Sequence, residues 1–279
     1  MKLLSYKTAG KQSYGALKND GIIDLKDRLG QPTLRAAIAA GLLDSIAGRV
    51  DGLKPDYAFS DIELMIPVPD AGKIICIGRN YRGHVAEGGQ PLPKTPSTFI
   101  RVHSSFVAPG EAMMRPRLSD QFDYEGELAL VIGRAGKHIR REHAFDYIAG
   151  YTCLHEGSIR DYQFGHALAV GKNFDKTGSI GPWLVTRDDI PDVSTLTLTT
   201  TLNGVQVQHT KTDDFIFDIP AILAYVSGFM ELVPGDVIAT GTPEGVGFAR
   251  KPPLWLKPGD KVEVAITSIG VLRNSVVGE

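Results

Sequence analysis

Two acids stand two residues apart at the head of an apolar run, Tyr124-Glu125-Gly126-Glu127-Leu128-Ala129-Leu130-Val131-Ile132-Gly133. In a strand, successive side chains alternate faces, so Glu125 and Glu127 point the same way while Gly126 points the other. Like charges side by side repel, and a sheet that needed only to fold would avoid them. A divalent cation between them would turn that repulsion into attraction. A third acid, Glu156, follows another strand-like run, Ala149-Gly150-Tyr151-Thr152-Cys153-Leu154. Three carboxylates without a Cys/His ligand cluster form a hard, oxygen-only donor set, suited to Mg²⁺, Mn²⁺ or Ca²⁺ rather than structural zinc. The plain alternative for the pair is two exposed acids on a sheet edge.

Other residues carry complementary chemistry. His84 and Glu87 lie three apart after the buried-type run Lys73-Ile74-Ile75-Cys76-Ile77-Gly78, so one helical turn would place them on one side. A carboxylate beside an imidazole raises its basicity and fixes its orientation, which suits a general base. Gly88 to Pro96 combines glycines and prolines in a loop able to cover a site. Thr240-Gly241-Thr242-Pro243 follows a strand and offers close backbone approach, a hydroxyl and an N–H to an anion. It lacks the Gly-Lys-Ser/Thr ending of a phosphate loop. Lys172 lies between apolar and aromatic residues, placed to hold a carboxylate, polarise a carbonyl or pair with Asp175.

The elements that must position these groups are mostly strands. Leu3 to Tyr6, Tyr14 to Leu17 and Ile22 to Leu25 are short apolar stretches, and Asn19-Asp20-Gly21 marks a turn. Thr33 to Leu43 reads as a helix with Thr33 as N-cap. Asn203-Gly204 between Leu202 and Val205 predicts a type I′ hairpin. Helices are expected over Glu142 to Tyr147, Ser158 to Gln163 and Asp218 to Met230, the last with Pro220 in its first turn. Strands outnumber helices and do not alternate with them, which argues against a doubly wound sheet. A boundary near Pro67-Val68-Pro69 divides a small N-terminal α+β domain, 1–68, from a larger one, 69–279.

The chain has 279 residues, 43% hydrophobic and 22% charged, with a net charge of −2. That balance gives no basic footprint for nucleic acid and no polybasic membrane signal. Cys76 and Cys153 each sit in apolar runs and read as buried, reduced thiols. No apolar run approaches membrane-spanning length, the start turns polar too soon for a signal-peptide core, and a cytoplasmic location is expected.

Taken in order, Gly78-Arg79-Asn80-Tyr81 with His84 and Glu87, Tyr124 to Ala129, Gly150-Tyr151-Thr152, Ser158 with Arg160-Asp161 and Gln163, Gly171-Lys172 with Phe174-Asp175, Gly181 to Val185, Pro234 to Pro243, and Leu272-Arg273-Asn274 with Val276 form a specific set. This set resembles the fumarylacetoacetate hydrolase superfamily, from about Lys73 to Val277. The resemblance implies an α+β, mainly β fold, a roll or sandwich of mixed sheets behind a small N-terminal domain, assembled as a homodimer. It implies metal ligands at Glu125, Glu127 and Glu156 for Mg²⁺ or Mn²⁺, catalytic roles for His84, Glu87 and Lys172, and substrate contacts at Gln163, Gly241 and Thr242. Arg79 and Arg101 are added as candidates for a distal carboxylate. The family usually has Asn-Asp where this chain has His155-Glu156. The expected substrate is a small 2-oxo acid. The expected reaction is metal-dependent C–C hydrolysis of an acylpyruvate to a carboxylic acid and pyruvate. Oxaloacetate decarboxylation and oxo-dienoate isomerisation are the alternatives on the same scaffold.

Overall fold

Gly126–Ile132, the strand that begins inside the acid pair, is buried along its whole length. In the computed structural model, which describes residues 1–279, it pairs antiparallel with Ile148–His155 on one side and with Val237–Ala239 on the other. A strand buried on both faces reads as a continuous apolar run rather than an alternating one, and Leu128 to Ile132 has that character. The sheet continues through Gly178–Thr186 in one direction and through Ile74–Gly78 and Ser97–Arg101 in the other, twelve strands in all, with parallel and antiparallel pairs.

The N-terminal strands join this same sheet. Lys2–Thr8 pairs with Gly178–Thr186, placing Leu3 opposite Leu184. Lys11–Lys18 and Gly21–Asp24 extend the edge as a meander. Thr33 caps a helix as expected, its hydroxyl accepting from the Ala36 N–H. That helix is shorter than the sequence reading. It covers Leu34–Ala39, breaks where Gly41 takes a φ of 68°, and restarts as Leu43–Val50.

A second, five-stranded sheet packs against the first. It contains Thr197–Leu202, Val205–Lys211, Lys261–Ile266, Gly270–Gly278 and Met113–Arg115. Asn203 and Gly204, at φ 53° and 80°, make the turn their types predict. Between the sheets lies a core including Leu128, Leu130, Cys153, Leu198, Val264, Ile266 and Leu272. The helix Ile219–Phe229 closes one end of it, with Asp218 capping the Ala221 N–H and a proline in the first turn. A second core joins Leu3, Ile23, Ile38 and Ile46 to Ile74, Ala129, Leu154 and Leu184 on the other face of the large sheet. The fold is the mainly β, mixed-sheet arrangement expected from the sequence. No helix is long and apolar enough to cross a membrane.

Candidate active site

The three acids converge. Glu125 ends the link from Phe122–Asp123, Glu127 is the second residue of the Gly126 strand, and Glu156 follows Ile148–His155. The Glu156 N–H donates to the Glu125 carbonyl at 2.8 Å, tying the two strand ends together. One carboxylate oxygen from each of the three acids lies within 4.8 Å of the others, and all three residues are buried. An oxygen-only cluster with this spacing fits a hard divalent cation.

Three basic side chains surround the acids. Lys172 Nζ donates to Glu125 Oε1 and Glu156 Oε2, both at 2.8 Å. Arg160 Nη2 lies 2.7 Å from Glu125 Oε1, and Arg101 Nη1 lies 3.9 Å from Glu156 Oε1. Burial works against a charge on Glu125, but Arg160 and Lys172 outweigh it and hold the carboxyl well below its usual range. Glu127 has the opposite balance. Burial, then the charges of Glu156 and Glu125, push it well above its usual range, although the Gly241 N–H donates to its Oε2 at 2.8 Å. Two identical residues two positions apart are thus driven in opposite directions by their neighbours.

His84 lies on the short helix Arg82–Glu87, its Nδ1 2.8 Å from Glu87 Oε1. Glu87 Oε2 accepts the Gly245 N–H at 2.8 Å, so the carboxylate is held at both oxygens. A cavity of about 250 Å³ is lined by His84, the three acids, Arg79, Arg160, Gln163, Lys172 and Thr242, with Ile77, Phe99 and Leu168 in its wall. Arg79 enters it from a left-handed backbone position, φ 56°, uncommon for a residue with a side chain. A larger groove of about 540 Å³ lies elsewhere, between Phe59–Pro69 and Phe106–Glu111.

Most residues singled out in the sequence therefore gather at one cavity. Arg101 lies behind it, 1% exposed, donating to Ser105, Thr177 and the Gly157 carbonyl. Gly241 turns toward Glu127 at a φ of 104°, where an added Cβ would meet the Asn80 Cβ at 2.9 Å. Lys172 pairs with the acids, while Asp175 accepts from Ser104. Residues that sequence reasoning passed over complete the frame. Asp123 accepts from Arg160 Nε at 2.7 Å and from the Tyr124, Gly247 and Phe248 amides. Arg160 also donates to Gln163 Oε1 at 2.9 Å. Asn80 bridges the Thr240 and Phe217 carbonyls and accepts the Phe217 N–H. The motif positions of Asn80 and Arg160 were signals in the sequence; Asp123 had none beyond standing next to Tyr124.

Residues 73–277 match the family described as fumarylacetoacetate (FAA) hydrolase C-terminal, and the chain belongs to that family. It is an enzyme of that superfamily, acting on a small-molecule substrate. The mitochondrial oxaloacetate tautomerase of Xenopus laevis is 44% identical over 221 residues, covering 78% of this chain and 69% of the relative. The human enzyme of the same name is 42% identical over 221 residues, with 78% and 70% covered. Among solved structures, a maleylpyruvate hydrolase from Sphingobium sp. SYK-6 in complex with manganese(II) ion and pyruvate superposes with a TM-score of 0.84 at 29% identity, covering 100% of this chain and 99% of the other. A 5-carboxymethyl-2-hydroxymuconate delta-isomerase from Mycobacterium smegmatis gives 0.80 at 30%, with 100% and 99% covered.

Proposed function

We propose that this protein interconverts the keto and enol forms of oxaloacetate or a close 2-oxo diacid. The observation that carries the reading is His84 in the wall of the cavity that contains the three acids, oriented by a Glu87 carboxylate that is itself held at both oxygens. An ionised carboxylate only accepts hydrogen bonds, so Nδ1 carries the proton and Nε2 keeps a lone pair for the cavity. That nitrogen takes the proton from C3 of the keto acid and delivers it to the 2-oxo oxygen, so the enol carries the same number of protons as the keto form. The reverse reaction takes the proton from the enol oxygen and returns it to C3. Glu125, Glu127 and Glu156 are the residues that would hold Mg²⁺ or Mn²⁺. When bound, such a cation acts as a Lewis acid toward the 2-oxo group and stabilises enolate charge. Arg79, Gln163, Gly241 and Thr242 are assigned to the substrate carboxylates and Lys172 to the charge balance beside them, with Arg101 supporting Glu156 from behind. The tautomerase relatives, at over 40% identity, support this choice of reaction.

C–C hydrolysis of an acylpyruvate, a fumarylpyruvate- or maleylpyruvate-like diacid, is the second reading. It is favoured by the same oriented dyad, which suits activation of water, and by the likeness to a maleylpyruvate hydrolase over the whole chain. Both reactions share the pyruvoyl handle. A cytoplasmic homodimer completes the proposal, and light scattering tests the assembly.

The deciding experiment assays the Mn²⁺-loaded protein on oxaloacetate, fumarylpyruvate and maleylpyruvate, following enol absorbance, substrate cleavage and CO₂ release. Accelerated enol decay without CO₂ supports the first reading. Acylpyruvate cleavage with no effect on the enol replaces it by the second, and CO₂ release moves the assignment to decarboxylation. His84→Ala is expected to slow the reaction about 10²–10⁴-fold while Mn²⁺ binding persists. An unchanged rate removes His84 from the chemistry.

A further inference from the structure

Gln208 is a buried polar residue to which neither the chemistry above nor the sequence motifs give a role. It is 2% exposed and lies on Val205–Lys211, in the second sheet. Its amide is fully used. Oε1 accepts the Gly126 N–H at 2.9 Å, and Nε2 donates to Thr242 Oγ1 at 2.9 Å and to the Pro243 carbonyl at 3.0 Å. Thr242 Oγ1 in turn donates to the Gly126 carbonyl at 3.0 Å. One side chain thus closes a ring between the glycine separating Glu125 from Glu127 and the loop that carries Gly241 and Thr242.

The strand is irregular at this point. Thr200 is opposite Gln208, but Thr201 is opposite Gln206, so Val207 is an extra residue. Such a bulge re-aims neighbouring side chains. It places Val207 and Gln208 inward in succession, where strict alternation would have put one of them outside.

We propose that Gln208 is a positioning residue that sets the Gly241–Thr242 loop against the acid strand and so tunes binding of the 2-oxo acid. The argument rests on the reading above that places the substrate against these groups. With its proton committed to Gly126 and a lone pair committed to Gln208, the Thr242 hydroxyl is not free to donate into the cavity. The Gly241 N–H is given to Glu127, so the donor the loop has left for an anion is the Thr242 N–H, and the depth of the loop is fixed by the Gln208 amide. The same ring holds the Gly241 N–H in reach of Glu127.

The test compares the full-length protein with Gln208→Met, which is close in size and removes all three bonds, and Gln208→Glu, which keeps an acceptor for Gly126 but loses both donors to the loop. Amide exchange at Gly241 is measured together with pyruvate affinity for the Mn²⁺-loaded protein and thermal stability. Both variants are expected to exchange Gly241 about tenfold faster or more, the order of one lost buried hydrogen bond, and to bind pyruvate correspondingly more weakly. Gln208→Glu decides alone if Gln208→Met does not fold. Unchanged Gly241 exchange, or a lower melting temperature with unchanged exchange and pyruvate affinity, overturns the proposal. Failure of the wild-type protein to bind pyruvate refutes the functional reading instead, and the exchange at Gly241 then still decides whether Gln208 sets the loop.

Discussion

Glu127 is a buried acid whose surroundings oppose its charge, and Lys172 is a buried cation paired with the other two acids. Burial and two neighbouring carboxylates oppose ionisation of Glu127. Replacing it by Gln removes a candidate ligand with little change in volume. Glu127→Gln is expected to weaken Mn²⁺ binding by more than the roughly 10–100-fold typical of a residue that only supports a ligand, and metal titration by calorimetry checks it. Lys172, 3% exposed, balances both Glu125 and Glu156. Lys172→Met breaks a buried pair, which costs about 3–5 kcal/mol, and denaturant unfolding in metal-free buffer measures the loss. Added Mn²⁺ should restore more stability to this variant than to the wild type. At this scale the sequence was informative where chemistry follows spacing. The intervals put Glu125 with Glu127 and His84 with Glu87 on common faces, but each interval alone fitted a plain surface pair equally, and the ordered set of motifs was needed to make them a site. Asp123, Arg160 and Gln208 act through partners far along the chain, as with Gln208 and Gly126, 82 residues apart. In a strand of mixed polarity such as Val205–Lys211, Gln208 reads as one more outward-facing polar residue.

At the scale of elements, the glycine between the acids matters as much as the acids do. A Cβ on Gly126 would lie 2.1 Å from Thr200 Oγ1 and 3.3 Å from both Val264 methyls. The close approach of the second sheet therefore requires glycine at the motif's centre. Gly126→Ala is expected to destabilise the protein by about 1–3 kcal/mol through overpacking, and to lower metal affinity because the strand that carries Glu127 must shift. Denaturant melts and Mn²⁺ titration check the two effects separately. Elements with local punctuation were legible: the Asn203-Gly204 turn, the Thr33 cap, and the helix with Pro220 in its first turn, which Asp218 proves to cap. Elements decided by tertiary pairing were not. Ser158 and Ile159 begin the stretch expected to be helical, yet they pair as strand with Phe122 and Asp123, and the helix starts only at Arg160. The expected helix at Glu142 to Tyr147 is a tighter 3₁₀ segment, Arg141–Tyr147.

At the scale of the whole molecule, the first strand is sewn into the main sheet beside Gly178–Thr186, and Leu3 is fully buried in a core shared with Ile74, Leu154 and Leu184. Leu3→Ala is expected to cost about 2–5 kcal/mol. Because the core spans both segments, the loss should appear as one earlier unfolding transition by calorimetry rather than as melting of residues 1–68 alone. Two separated transitions would show that the segments fold independently. A sequence read locally finds the strands of this region but not their partners, since nothing in Leu3 to Tyr6 announces a neighbour more than 170 residues away.

Lys172, Arg160 and Arg101 give the acids a set of cations made of the chain itself. The Lys172 ammonium sits between two of the three acids, and Arg160 and Arg101 stand at their flanks. Because these internal pairs hold the acids without help from outside, a chelator is expected to leave the protein folded even where it stops the proposed reaction, and thermal melts with and without the chelator check it.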